Sequence, residues 1–106
     1  LNKYHAKRTE VDGIMFHSKK EASRYLDLAI LQRIGEIKDL RLQPAYPLDV
    51  NGVRIAMYHA DFDYWDVKKC VRVVEDVKSA ITKKKRDYRI IKKLILALYC
   101  VEILET

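Results

Sequence analysis

Val71-Arg72-Val73-Val74-Glu75-Asp76-Val77-Lys78 is the stretch on which the fold turns. β-Branched residues suit a pleated, buried surface, so the run is expected to be a strand near the centre of a sheet. The two-residue period puts Arg72, Val74, Asp76 and Lys78 on one face and Val73, Glu75 and Val77 on the other. A carboxylate and an ammonium side by side on a strand that flanks the core need each other, a ligand, or both.

Working upstream, Asp66 to Cys70 reads as a turn, and Arg54 to Trp65 as one long strand. Tyr58, Ala60, Phe62 and Tyr64 fall on one of its faces; His59, Asp61, Asp63 and Trp65 fall on the other. Asn51-Gly52 is a two-residue hairpin signal that joins this strand to Tyr46–Val50. Ile37 to Leu42 is a further strand. Before it, Ser18-Lys19-Lys20-Glu21 has the capping-box form. Ala22, Leu26, Ala29 and Ile30 follow at helical spacing, and Gly35 is a stop, which predicts a helix over 18–34. Gly13 to Phe16 reads as an edge strand, preceded by a basic arm or loop over residues 1–12.

Downstream, Thr82 can cap a second helix over 83–99. Tyr88, Ile91, Ile95 and Leu98 make its inward stripe, with Lys85, Arg89, Lys92 and Lys93 on or near the opposite face. Val101 to Leu104 closes the chain as a short strand. The expected fold is α/β (α+β): one domain over 1–106, a mixed central sheet with a helix on each side. After the N-terminal extension its order is α-β-β-β-α-β.

The 106 residues carry 21 Lys and Arg against 15 Asp and Glu, a formal charge of +6, with 49% apolar residues. That is enough apolar material for a core, which excludes a disordered polycation. No run approaches the ~20 apolar residues of a membrane span, and no signal-peptide pattern is visible. The chain opens on Leu1 rather than Met, so residues are expected to precede it. Cys70 and Cys100 form no C-x-x-C, so neither a disulfide scaffold nor a cysteine-rich zinc site is indicated, and a reducing cytoplasm is the expected setting.

The charge is uneven: by segment it is +3 over residues 1–42, −1 over 43–78, +6 over 79–95 and −2 over the last eleven. Basic flanks are the footprint of a polyanion binder, here nucleic acid. Lys19, Lys20, Lys83, Lys84, Lys85, Arg89, Lys92 and Lys93 are the candidate phosphate contacts, setting register on DNA without reading its sequence. A protein that only gripped nucleic acid would gain nothing from carboxylates inside that footprint.

Carboxylates do have a use in phosphodiester hydrolysis. That reaction needs a nucleophilic water, charge neutralisation at phosphorus and help for the leaving oxygen. A divalent ion on one or two carboxylates supplies these, and a neighbouring Lys can handle the water or the developing charge. Acid-x-Lys occurs at Glu36-Ile37-Lys38, Asp66-Val67-Lys68 and Asp76-Val77-Lys78. Only Asp76 and Lys78 sit at a strand end on one face. Asp61 lies fifteen residues earlier, and a bend or bulge is expected to be needed to bring it level with Asp76. Asp63, nearer the turn, is expected to be solvated. Glu21 is explained by the cap, yet a first-turn carboxylate can also project toward the sheet edge.

Glu21 on the first helix, Asp61 in a strand and Asp76-Val77-Lys78 in the next, followed by a basic helix, resemble the PD-(D/E)xK nuclease superfamily. The likeness is nearest to small phage-encoded members related to Holliday-junction resolvases. It is carried by Gly13-Ile14-Met15-Phe16-His17-Ser18-Lys19-Lys20-Glu21, by Ala60-Asp61-Phe62 and by Val74-Glu75-Asp76-Val77-Lys78-Ser79. Ala60 stands where the superfamily has Pro, and Asp76 where Glu is more frequent.

The resemblance implies a restriction-endonuclease-like core and an endonuclease dependent on Mg²⁺ or Mn²⁺. In it Asp61, Asp76 and the Val77 carbonyl hold the metal, Glu21 supports the site and Lys78 handles the water. It also implies branched or recombination DNA as substrate. No base-reading helix is evident, and cutting two strands symmetrically with one site per chain calls for a homodimer. Neither a membrane nor a small-molecule cofactor is expected. The rival readings are a nonenzymatic nucleic-acid-binding module and a degenerate nuclease fold used as a subunit contact.

Overall fold

The computed structural model describes residues 8–77 and 86–106. β1 (Thr9–Val11) and β2 (Ile14–Phe16) form a small antiparallel hairpin. Asp12 (φ 54°) and Gly13 (φ 77°) make its turn, the left-handed pair that a two-residue loop requires. The end of the expected basic arm is therefore a strand, held because Val11 and Ile14 pack on the core beneath α1.

α1 (Lys19–Arg33) is where its caps place it. Ser18 Oγ accepts from the Glu21 N–H at 3.0 Å. At the other end Gly35 takes φ +87°, donating to the Gln32 carbonyl at 3.1 Å while Glu36 donates to Leu31 at 2.9 Å. These bonds satisfy carbonyls that the last turn would leave orphaned. The inward face differs from the expected one. Ala22, Tyr25, Leu28 and Leu31 face the core, whereas Leu26 and Ile30 are 45% and 52% exposed. The helix is turned so that Glu21 and Arg24, both polar, also point inward, where each has a partner.

β3 (Ile37–Leu42), β6 (Phe62–Asp66), β7 (Val71–Asp76) and β8 (Ile103–Glu105) form a four-stranded sheet in the order β3-β6-β7-β8. The β7–β8 pair is parallel and the others antiparallel, so the sheet is mixed. β4 (Ala45–Val50) and β5 (Val53–His59) form a separate hairpin. Asn51 (φ 51°) and Gly52 (φ 78°) make its turn, as expected for that dipeptide. The expected single strand over 54–65 is thus two strands in two sheets, broken at Ala60-Asp61.

α2 (Arg86–Tyr99) covers one face of the four-stranded sheet, with Ile95 buried among Tyr46, Leu48, Tyr58, Val74 and Ile103. α1 covers the other, over Phe62, Tyr64 and Ile37. An α+β fold with a mixed sheet between two helices is therefore as expected. Leu98, assigned to the inward stripe of the second helix, is 40% exposed; Leu94 packs inward instead. Thr82 and the helix start at 83–85 lie outside the described residues.

Candidate functional site

β6 and β7 pair from Asp66↔Val71 to Phe62↔Glu75 without a register shift, closed by a four-residue turn. The ladder stops there, and Asp61 lies in a bend, as expected; the bend brings it to Asp76 off the register of the two strands. The Asp61 N–H donates to Asp76 Oδ1 at 3.1 Å and to the Glu75 carbonyl at 3.2 Å. In return, the Val77 N–H donates to Asp61 Oδ2 at 2.7 Å. Each aspartate is held by backbone on the neighbouring strand.

Two further strands and a helix complete the surroundings. The Tyr58 hydroxyl of β5 donates to Asp76 Oδ2. Burial, and then this bond, raise the Tyr58 pKa well above the ordinary tyrosine value. On β8, Glu105 is the register partner of Asp76. Lys92 Nζ of α2 lies 3.5 Å from Glu105 Oε2 and 5.6 Å from the centre of the Tyr88 ring. Lys92 is accordingly half-buried and paired, not outward as expected. Burial likewise raises the Tyr88 pKa, with Glu105, Asp76 and Asp61 adding to the shift. Asp76 is 1% exposed, while Asp61 is half-buried at the rim.

Two other acids of the same strands are fully buried in arginine clamps. Asp63, expected in solvent, accepts from Arg41 Nε at 2.7 Å and from the Arg41 Nη2 and Tyr46 hydroxyl groups, with Arg72 Nη1 at 3.3 Å. Its alternation with Asp61 carries it under the β4–β5 hairpin, not toward the turn. Glu75, on the α1 face, accepts from Arg24 Nε at 2.5 Å and Nη2 at 3.0 Å, from Tyr64 at 2.7 Å and from Thr106 Oγ1 at 3.2 Å. Hydrogen bonds to these carboxylates raise the already high pKa values of Arg24 and Arg41. Such clamps hold strands and helix together.

Glu21 is buried, and its Oε1 accepts from the His17 N–H at 2.9 Å. Among the described residues no three of His, Cys, Asp and Glu gather closely enough to hold a metal. The expected grouping of three carboxylates is therefore reduced to the pair Asp61 and Asp76, with Glu21 in its cap. Its neighbour Lys20 lines a cleft of about 250 Å³ with Ser23, Arg24, Asp27, Val77 and Thr106, which brings the start of α1 close to the end of β7. Lys19 and Lys20 are exposed, as are Arg89 and Lys93 on α2; His59 is exposed on β5. Lys78, Lys83, Lys84 and Lys85 lie outside the described residues.

Tyr58 was missed from sequence, where it counts as one more core aromatic. The turn gives no signal for it: Asn51-Gly52 alone would set Tyr46 opposite Met57, and a register shift between Leu48 and Asp49 sets Tyr46 opposite Tyr58, with both hydroxyls facing the sheet. Together these features define an α+β protein with two aspartates locked together at one end of a mixed sheet. Residues 1–102 match the family described as protein of unknown function (DUF1064), and the chain belongs to that family. No curated protein and no solved structure matches it. Among the described residues no helix is long and apolar enough to cross a membrane.

Proposed function

We propose that the protein is a metal-dependent endodeoxyribonuclease of the PD-(D/E)xK type, with a restriction-endonuclease-like core, acting on branched or recombination DNA as a homodimer. The observation that carries the reading is the Asp61–Asp76 lock, in which two acids fifteen residues apart exchange backbone hydrogen bonds across β6 and β7. The donor set suits Mg²⁺ or Mn²⁺: two carboxylates with the Val77 carbonyl are hard oxygen ligands, and such ions complete their shells with water and phosphate. When bound, the ion would neutralise charge at phosphorus and lower the pKa of a bound water.

The chain's own residues supply the rest. Asp61 and Asp76 orient the site, because their carboxylates are fixed before any ligand arrives. Lys78, two residues beyond Asp76, would position the attacking water or balance the developing charge. Glu21 would act at most through the first turn of α1. Lys19, Lys20, Arg89 and Lys93 would hold the phosphate backbone.

The test is incubation of the protein with plasmid and four-way-junction DNA, with and without Mg²⁺ or Mn²⁺. The expected result is cleavage only with metal. Asp76→Asn and Lys78→Ala should each abolish cleavage and leave DNA binding largely intact. Wild-type cleavage rates in both variants would overturn the assignment. Salt-sensitive binding without metal-dependent nicking would identify a nonenzymatic module instead.

A further inference from the structure

The β4–β5 hairpin reaches the four-stranded sheet through two tyrosines that face each other across its strands. Tyr46 and Tyr58 are register partners, their rings 6.3 Å apart. Both are buried, and each hydroxyl donates to a buried aspartate of the sheet, Tyr46 to Asp63 and Tyr58 to Asp76. The bonds are alike, but the aspartates are not employed alike. Asp63 is also gripped by Arg41 and Arg72, so its carboxylate is consumed by structure. Asp76 meets the Asp61 N–H through Oδ1 and Tyr58 through Oδ2.

We infer that Tyr58 is a positioning residue for the Asp61–Asp76 pair, its hydroxyl fixing the rotation of the Asp76 carboxylate so that the pair is set to receive a divalent cation. This rests on the nuclease reading and deepens it. The Asp61 N–H tethers Oδ1 and the Tyr58 hydroxyl tethers Oδ2, so the two bonds together oppose rotation about the Cβ–Cγ bond. Each carboxylate oxygen has about two lone-pair sites, so accepting one such hydrogen bond does not by itself prevent an oxygen from facing a cation. Groups that orient a metal ligand in this way carry about 10- to 100-fold in metal affinity.

Tyr46 supplies an internal control, since its removal deletes an equivalent buried hydroxyl from the same hairpin without touching Asp76. The experiment titrates Mn²⁺ into wild type, Tyr58→Phe and Tyr46→Phe in the absence of DNA, followed by calorimetry, with melting temperatures measured alongside. Both variants are expected to melt lower. Only Tyr58→Phe should weaken Mn²⁺ binding, by about tenfold or more, and shift the Mn²⁺ dependence of cleavage to the same extent; Tyr46→Phe should bind within about twofold of wild type.

A second measurement needs no variant: in wild-type spectra, Mg²⁺ should move the ring resonances of Tyr58 and leave those of Tyr46 in place. Equal Mn²⁺ affinity in the two variants, or Tyr58 resonances indifferent to saturating Mg²⁺, would overturn the inference while leaving the nuclease reading standing. Failure of the wild-type protein to bind either ion would overturn both.

Discussion

Arg24 and Glu75 show what a single buried pair demands. Glu75 is fully buried and Arg24 reaches it with two donors, at 2.5 and 3.0 Å. Removing the arginine leaves a charge in the core that, among the described residues, only Tyr64 and Thr106 answer. Arg24→Ala is expected to cost about 3–5 kcal/mol in chemical unfolding, and a loss below about 1 kcal/mol would show that water reaches Glu75. The tyrosines set a second expectation. Burial, then Asp63, pushes Tyr46 up to about 12, and Tyr58, Tyr64 and Tyr88 are raised as well. With a folded pKa above the unfolded value of about 10, the unfolded chain loses its phenolic protons first. This stabilisation is complete below about pH 10 and is lost as pH climbs through the folded values. Unfolding free energies measured from pH 9 to 12 should therefore fall past pH 10 in wild type and less steeply in Tyr46→Phe. Asp61 and Asp76 were legible from sequence because their strand phases and spacing are local facts. The clamps on Asp63 and Glu75 were not, since Arg41, Arg24 and Thr106 arrive from distant elements.

For the elements, punctuation was more readable than phase. Ser18, Gly35 and Asn51-Gly52 mark ends that backbone chemistry enforces, and the structure begins and ends its elements beside them. The break at Ala60-Asp61 left no trace, because Ala56, Tyr58, Ala60, Phe62 and Tyr64 keep an unbroken two-residue alternation with no Gly or Pro between them. That break lets Tyr58 and Phe62 serve different cores on opposite faces of the sheet. The rotation of α1 has a similar origin, as Leu26 and Ile30 look inward only if Arg24 is assumed to look outward. Two substitutions test the observed face. Leu28→Ala should cost about 2–5 kcal/mol, the range for truncating a buried leucine. Ile30→Ala, at a position 52% exposed, should stay within about 0.5 kcal/mol of wild type apart from helix propensity. Equal losses in thermal unfolding would mean that another surface covers Ile30.

Across the whole molecule, the charge pattern sets an acidic middle between basic flanks, and the fold gives the flanks different local roles. α1 begins with exposed Lys19 and Lys20 near the end of β7, and α2 carries exposed Arg89 and Lys93 on the other side of the sheet. Lys92 is one residue from Lys93 but turns inward to Glu105 and the Tyr88 ring. A cation engaged by a neighbouring carboxylate contributes less to counterion release than one that meets phosphate directly. If DNA lies across these flanks, log Kobs should fall linearly with log salt, by about 0.9 for each phosphate neutralised. Lys93→Ala and Lys20→Ala should each reduce that slope by about 0.9, measured by anisotropy on a labelled four-way junction without metal. Lys92→Ala should reduce it by clearly less, because its ammonium is already engaged by Glu105. Identical slope changes for Lys92→Ala and Lys93→Ala would place DNA contacts on both faces of α2 and require the Lys92–Glu105 contact to open on binding.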